Sequence, residues 1–143
     1  MHTVGWRELV DLPDWGISRL RAKLDTGART SALHVASIVE QPDGKVCFEV
    51  VTHRTSDRRR PIVAEVVRRC RVRSSTGTTS TRYVVRTRLR LGPHEREIEL
   101  TLVDRGAMIH RMLVGRTGLV GLLVDPTRRY LVSQPRPPRR KDP

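Results

Sequence analysis

Aromatic side chains are scarce in this chain: Trp6, Trp15, Phe48, Tyr83 and Tyr130 are all it has in 143 residues. A hydrophobic core must therefore be assembled from Val, Leu and Ile. Cysteine is limited to Cys47 and Cys70, widely spaced within strand-like segments, which argues for buried reduced thiols over a disulfide or a nucleophile. No apolar run approaches the length of a membrane span, and the N-terminus has no apolar signal region. The expectation is a cytoplasmic protein without a membrane partner. Long segments of helical period are missing too. The five histidines (His2, His34, His53, His94, His110) form no His-Glu-x-x-His, and no Cys pair has ligand spacing, so no metal is expected. There is no Gly-x-x-x-x-Gly-Lys-Ser/Thr, and Gly115-Arg116-Thr117-Gly118 is not a phosphate loop, so no cofactor is expected. A Ser or Cys nucleophile with an obvious base is also absent.

Acidic residues are outnumbered, 15 Asp and Glu against 28 Lys and Arg, giving a net charge of +13. Such a field attracts nucleic acid, acidic peptides or an anionic surface. Only Lys23, Lys45 and Lys141 are lysines, and so strong an Arg bias is also the mark of a GC-rich genome. Both readings of the charge stay open.

The length fits one domain, residues 1–132, followed by a Pro/Arg-rich tail, 133–143, expected to be extended and solvated. β-branched residues and period-2 alternation predict an all-β chain. The predicted strands are Val4–Val10, Ser18–Leu24, Leu33–Glu40, Val46–Thr52, Ile62–Val72, Thr81–Leu91, Glu95–Val103 and Met112–Val114. Turn signals separate them at Pro42-Asp43-Gly44, Thr55-Ser56-Asp57, Ser74–Ser80 and Gly92-Pro93. One hairpin can be set in register from the residues alone. Pairing Arg90 with Glu95, Arg88 with Glu97 and Arg86 with Glu99 places Val85 opposite Leu100 and Tyr83 opposite Leu102. A slip by one residue would oppose apolar to charged side chains throughout. Those arginines then have partners inside the chain, which argues against a nucleic-acid ligand.

Leu24-Asp25-Thr26-Gly27-Ala28 is the stretch richest in chemistry. Asp-Thr-Gly after an apolar strand end is how pepsin-like and retroviral-type aspartic proteases present their catalytic carboxylate. Asp25 would polarise the attacking water, Thr26 would lock the loop with its hydroxyl, and Gly27 would allow the tight turn. A given tripeptide arises by chance in roughly one such chain in thirty, so a second feature is needed. It is Met112-Leu113-Val114-Gly115-Arg116, an apolar run closed by Gly, placed where such enzymes thread a strand behind the catalytic loop and follow it with a short helix.

Val4-Gly5-Trp6-Arg7-Glu8, the block from Ala22 to His34, Ile98–Leu102, Arg111–Arg116 and Leu123-Val124-Asp125-Pro126 together resemble a bacterial retropepsin-like family labelled ATP-dependent zinc protease. Its members are often encoded beside ATP-grasp glutamate ligases. The resemblance implies a closed retropepsin-like barrel with one short C-terminal helix after Gly115. It also implies an aspartic peptidase with Asp25, Thr26 and Gly27 as its active-site turn. Ala28 and Arg29 would border the substrate, and Gly77, in the tip Ser74–Ser80, would belong to a flap over the cleft. Arg29 departs from the retroviral pattern, in which an acidic residue pairs with the Arg after the late Gly; Arg116 must find another partner.

Aspartic catalysis needs two carboxylates sharing one proton. The chain has one Asp-Thr-Gly. Asp104 and Asp125 lack its setting, and Asp125 before Pro126 reads as a turn residue. A homodimer with one Asp25 from each copy is the simplest solution. The expected substrate is a peptide or protein, with acidic or glutamate-rich peptides favoured by the charge. A reading from another class keeps the same fold as a non-catalytic basic module that binds an acidic protein partner or RNA.

Overall fold

The computed structural model describes residues 2–52, 59–73, 75–104 and 110–135. The turn at Thr55-Ser56-Asp57, Ser74 of the polar tip and the tail from Arg136 lie outside the described residues. The strands are β1 (His2–Leu12), β2 (Ile17–Leu24), β3 (Ser31–Glu40), β4 (Lys45–Val51), β5 (Arg59–Glu65), β6 (Arg68–Arg73), β7 (Thr79–Leu91), β8 (His94–Val103), β9 (Met112–Val114) and β10 (Leu122–Arg129). The chain is all-β, and its core is aliphatic as the composition requires: Leu12, Leu33, Val85, Leu89, Leu100 and Met112 are fully buried.

The strands lie side by side in the order β10-β1-β2-β9-β3-β8-β7-β6, with β4 and β5 continuing from β3. β7 also returns to β1 at the single pair Asp11↔Arg90. The closed barrel expected above is thus a sheet that meets itself through one residue pair. Arg90 and Asp11 also form an ion pair there, at 3.9 Å.

The β7–β8 hairpin has the register read from the sequence. Arg86↔Glu99, Arg88↔Glu97, Arg90↔Glu95 and Val85↔Leu100 all pair. Its ladder stops at Val84↔Thr101; Tyr83 faces Arg69 of β6 on its other edge.

Three expectations are corrected. The run Ile62–Val72 is two strands, because neighbouring amides bond different partners: Val66 N–H donates to Gly44 O at 3.0 Å and Val67 N–H to Val84 O at 2.8 Å. β5 therefore joins β4, and β6 joins β7. Among the described residues no C-terminal α-helix follows Gly115. Arg116–Gly118 makes one 3₁₀ turn capped at Leu119, and the left-handed Gly121 (φ 80°) precedes β10. Asp125 stands inside β10, parallel to β1, where the register jumps between Gly5 and Arg7. Its turn chemistry survives in that bulge: Asp125 Oδ1 accepts from Thr127 N–H at 2.9 Å and from Thr127 Oγ1 at 2.6 Å.

Candidate functional site

β2 buries Leu24 and releases the chain at Asp25. β9 lies between β2 and β3, parallel to the first (Leu24↔Val114) and antiparallel to the second (Ala32↔Leu113). The late apolar run thus passes directly behind the Asp25 loop. Asp25 N–H donates to Val114 O at 2.8 Å, Arg116 N–H to Ala28 O at 2.7 Å, and Thr117 N–H to Arg29 O at 3.1 Å. Gly115 N–H donates to the buried Ser31 Oγ at 3.1 Å. The loop is fixed along its length by main-chain donors that a flexible side chain could not replace.

Asp25 is half-buried. Gly27 N–H donates to Asp25 Oδ1 at 2.8 Å, which sets the carboxylate rotamer. Ala28 N–H reaches back to Asp25 O at 3.3 Å, closing a four-residue turn. Close approach to the carboxylate, not backbone freedom, favours glycine at 27. Gly27 is not among the residues with positive φ, but a Cβ there would stand 3.1 Å from Asp25 Oδ1 and crowd the carboxylate. Thr26 also differs from expectation. Its side chain is exposed and makes no hydrogen bond among the described residues, so it does not lock its own loop. Its carbonyl does, accepting from Arg116 Nη1 at 3.0 Å. This is the substitute partner that Arg116 needed once position 29 became basic.

Arg29 is exposed and has no ion-pair partner among the described residues. It lines a groove of about 600 Å³ together with Thr30, Arg68, Arg86, Glu97, Ile98, Glu99 and Thr117. Arg68 donates to Glu99 Oε1 through Nη1. Arg86 donates to Glu99 Oε2 at 3.1 Å and pairs with Glu97 Oε1 at 3.1 Å. The hydrogen bond from Arg68, reinforced by Arg86, holds the Glu99 carboxyl below the usual carboxylate range. The sequence did expose the Arg86 and Glu99 alternation, but only as a ladder facing solvent. Arg68 was hidden by the unread break between β5 and β6.

Gly77 sits at the exposed tip of the β6–β7 hairpin, with φ 86° and nothing within 4 Å of where a Cβ would stand. The described structure brings it into no contact with the Asp25 loop. Cys47 and Cys70 are free and half-buried. Among the described residues no three His, Cys, Asp or Glu side chains gather as metal ligands. Among them, too, no helix is long and apolar enough to cross a membrane.

A family model described as RimB-like, retropepsin-like aspartic endopeptidase RimB, matches residues 3–135. Relatives named "Probable alpha-L-glutamate ligase" are 41% identical over 130 residues in Parasynechococcus marenigrum and 38% over 132 residues in Desulfotalea psychrophila; each alignment covers 86% of this chain and 28% of the relative. A third, from Shewanella halifaxensis, is 34% identical over 138 residues, covering 92% of this chain and 30% of its own. The chain thus spans less than a third of the length of these relatives. Among solved structures, the Legionella pneumophila protein Lpg0085, of unknown function, is similar with a TM-score of 0.74 and 26% identity, over 92% of this chain and 98% of that one.

Proposed function

Because the chain belongs to the RimB-like family of retropepsin-like aspartic endopeptidases, we propose that it hydrolyses peptide bonds with Asp25, two copies supplying the pair of carboxylates. The observation that carries this reading is the fixed Asp25 loop: the carboxylate is oriented by Gly27 N–H and the loop is bonded to Val114, Gly115 and Arg116 behind it. One Asp25, ionised, takes a proton from a water molecule. The water oxygen attacks the peptide carbonyl while the other Asp25, protonated, donates to the carbonyl oxygen. Proton transfer to the amide nitrogen then releases the amine and restores the shared proton. The free Thr26 hydroxyl beside Asp25 is suited to bind the second copy.

Acidic peptides, glutamate-rich ones in particular, are the proposed substrate, in the cytoplasm. Support comes from the unpartnered Arg29 next to Asp25, the other arginines lining the groove, and the +13 charge. The relatives' name adds to it, since a ligase that joins glutamate makes the kind of chain a neighbouring peptidase domain would cut. The ligase name itself belongs to proteins more than three times as long as the match, and we assign the ligase activity to the remainder of those chains. Gly77 is proposed to close over the substrate.

Asp25→Asn keeps the shape of the side chain and removes its ionisation. It should abolish hydrolysis of a glutamate-rich peptide while leaving the thermal unfolding midpoint within a few degrees, and chelators should not change the wild-type rate. Activity surviving in Asp25→Asn would overturn the aspartic mechanism. Undiminished peptide binding without hydrolysis by the wild type would favour the basic binding module.

A further inference from the structure

The groove beside Arg29 has an arrangement that surface ion pairs on a hairpin do not require. Arg68 on β6 and Arg86 on β7 converge on one carboxylate, Glu99 on β8, while Arg86 also pairs with Glu97, a second acid that lines the groove. The third arginine, Arg29, faces the same groove with no acid of its own. The side chains of Arg68, Arg86 and Glu99 are 46%, 50% and 32% exposed, so water and solutes reach the pairs. Exposed ion pairs of this kind contribute about 0–1 kcal/mol each. Exchanging one carboxylate partner for another is therefore nearly isoenergetic, and the incoming acid gains Arg29 as well.

We propose that Arg29, Arg68 and Arg86 form a carboxylate subsite flanking the Asp25 loop, and that Glu99 occupies it as an internal stand-in until an acidic side chain of the substrate displaces it. The proposal rests on the acidic-peptide reading above and adds the residues that select for it. The guanidinium groups supply paired N–H donors matched to a carboxylate. Thr30, Thr117 and the apolar Ile98 line the same groove. Glu99 thus sets specificity by competition: a neutral peptide offers the arginines only uncharged carbonyl acceptors, weaker than a carboxylate, and leaves them on Glu99.

The test is fluorescence-anisotropy binding of a labelled oligoglutamate peptide and its oligoglutamine counterpart to the full chain carrying Asp25→Asn, so that nothing is cleaved. Glu99→Gln should tighten oligoglutamate binding at least threefold and leave oligoglutamine unchanged. Arg68→Ala and Arg86→Ala should each weaken oligoglutamate binding by about tenfold. Arg90→Ala removes the same charge from outside the groove, where Arg90 pairs with Asp11 and Glu95, and should weaken it less than twofold. If Arg90→Ala matches Arg68→Ala, the effect is bulk charge; the subsite is then overturned while the acidic-substrate reading stands. Glu99→Gln leaving or weakening oligoglutamate binding overturns the stand-in role. If oligoglutamate binds no better than oligoglutamine to any form, the acidic-substrate reading fails and the subsite with it. Circular dichroism of each variant separates lost binding from lost fold.

Discussion

Glu8 is fully buried, yet no cation among the described residues pairs with it. Its carboxylate is satisfied by hydrogen bonds alone: Gly5 N–H at 2.7 Å, Leu131 N–H at 2.8 Å, Val132 N–H at 3.3 Å and Ser133 Oγ at 2.6 Å. Ser133 Oγ in turn accepts Leu9 N–H at 2.8 Å. The side chain fastens the C-terminal segment onto β1. Glu8→Ala would strand these donors and should cost about 3 kcal/mol or more, read as a lowered urea midpoint with an unchanged slope. A change within about 0.5 kcal/mol would mean that water replaces the carboxylate without loss. Glu8 shares its parity with the buried Val10 and Leu12, but a carboxylate in the core position of an alternating strand is what pattern reading discards. Asp25 and Gly27 were legible because their chemistry is local to three residues. The Thr26 carbonyl and the Glu8 carboxylate depend on partners far along the chain, which no local pattern encodes.

His110 makes a second prediction at this scale. Arg7 Nε donates to His110 Nε2 at 3.0 Å, a bond that only the unprotonated nitrogen can accept. Burial, with Arg7, Lys23, Arg21 and Arg111 nearby, lowers its pKa to about 4. Burial lowers the pKa of His34 in the same way, with help from Arg111. The unfolded chain, near 6.5, then binds more protons than the folded one between about 6.5 and 4. Stability is complete above that window and is lost as pH falls through it. The urea midpoint should drop between pH 7 and pH 5, and His110→Asn should make that drop smaller. An unchanged pH slope in His110→Asn would show that His110 titrates alike in both states.

The hairpin β7–β8 was legible because two faces constrain one register, and both must agree. β10 was not read: Leu122–Arg129 contains Pro126, its alternation is broken by the bulge, and its partner β1 is at the other end of the chain. The three-residue β9 was legible only through its closing glycine. The structure gives that glycine a steric reason. A Cβ at Gly115 would stand 2.4 Å from Thr30 O and 2.6 Å from Thr30 C, main-chain atoms that cannot rotate away. Gly115 has φ −87°, a value open to any residue, so the penalty is close approach alone. Gly115→Ala must push β9 off the loop after Asp25. It should destabilise by about 2 kcal/mol and reduce peptidase kcat, because it shifts the loop that holds Asp25. A variant of wild-type kcat would mean that the loop tolerates the displacement.

At the scale of the whole molecule, the chain holds one Asp-Thr-Gly loop, while the proposed chemistry needs two carboxylates within hydrogen-bond reach. Its charge opposes assembly, since two copies at +13 repel through the solvent. Contacts at the interface must outweigh that repulsion, and salt should help them by screening it. Dimerisation, and with it specific activity, should therefore fall on dilution and recover when salt is raised at fixed protein concentration. Binding of an acidic substrate should respond to salt with the opposite sign, so KM rises while the dimer strengthens. Mixing provides the sharper test. With an about ninefold excess of Asp25→Asn, random pairing leaves roughly one wild-type subunit in ten with a wild-type partner. Activity per wild-type chain should fall by nearly that factor once subunits have exchanged. Additive activity under confirmed exchange, or full activity in a chain shown to be monomeric, would place the second acid within a single copy, and Asp104→Asn would be the next variant to make.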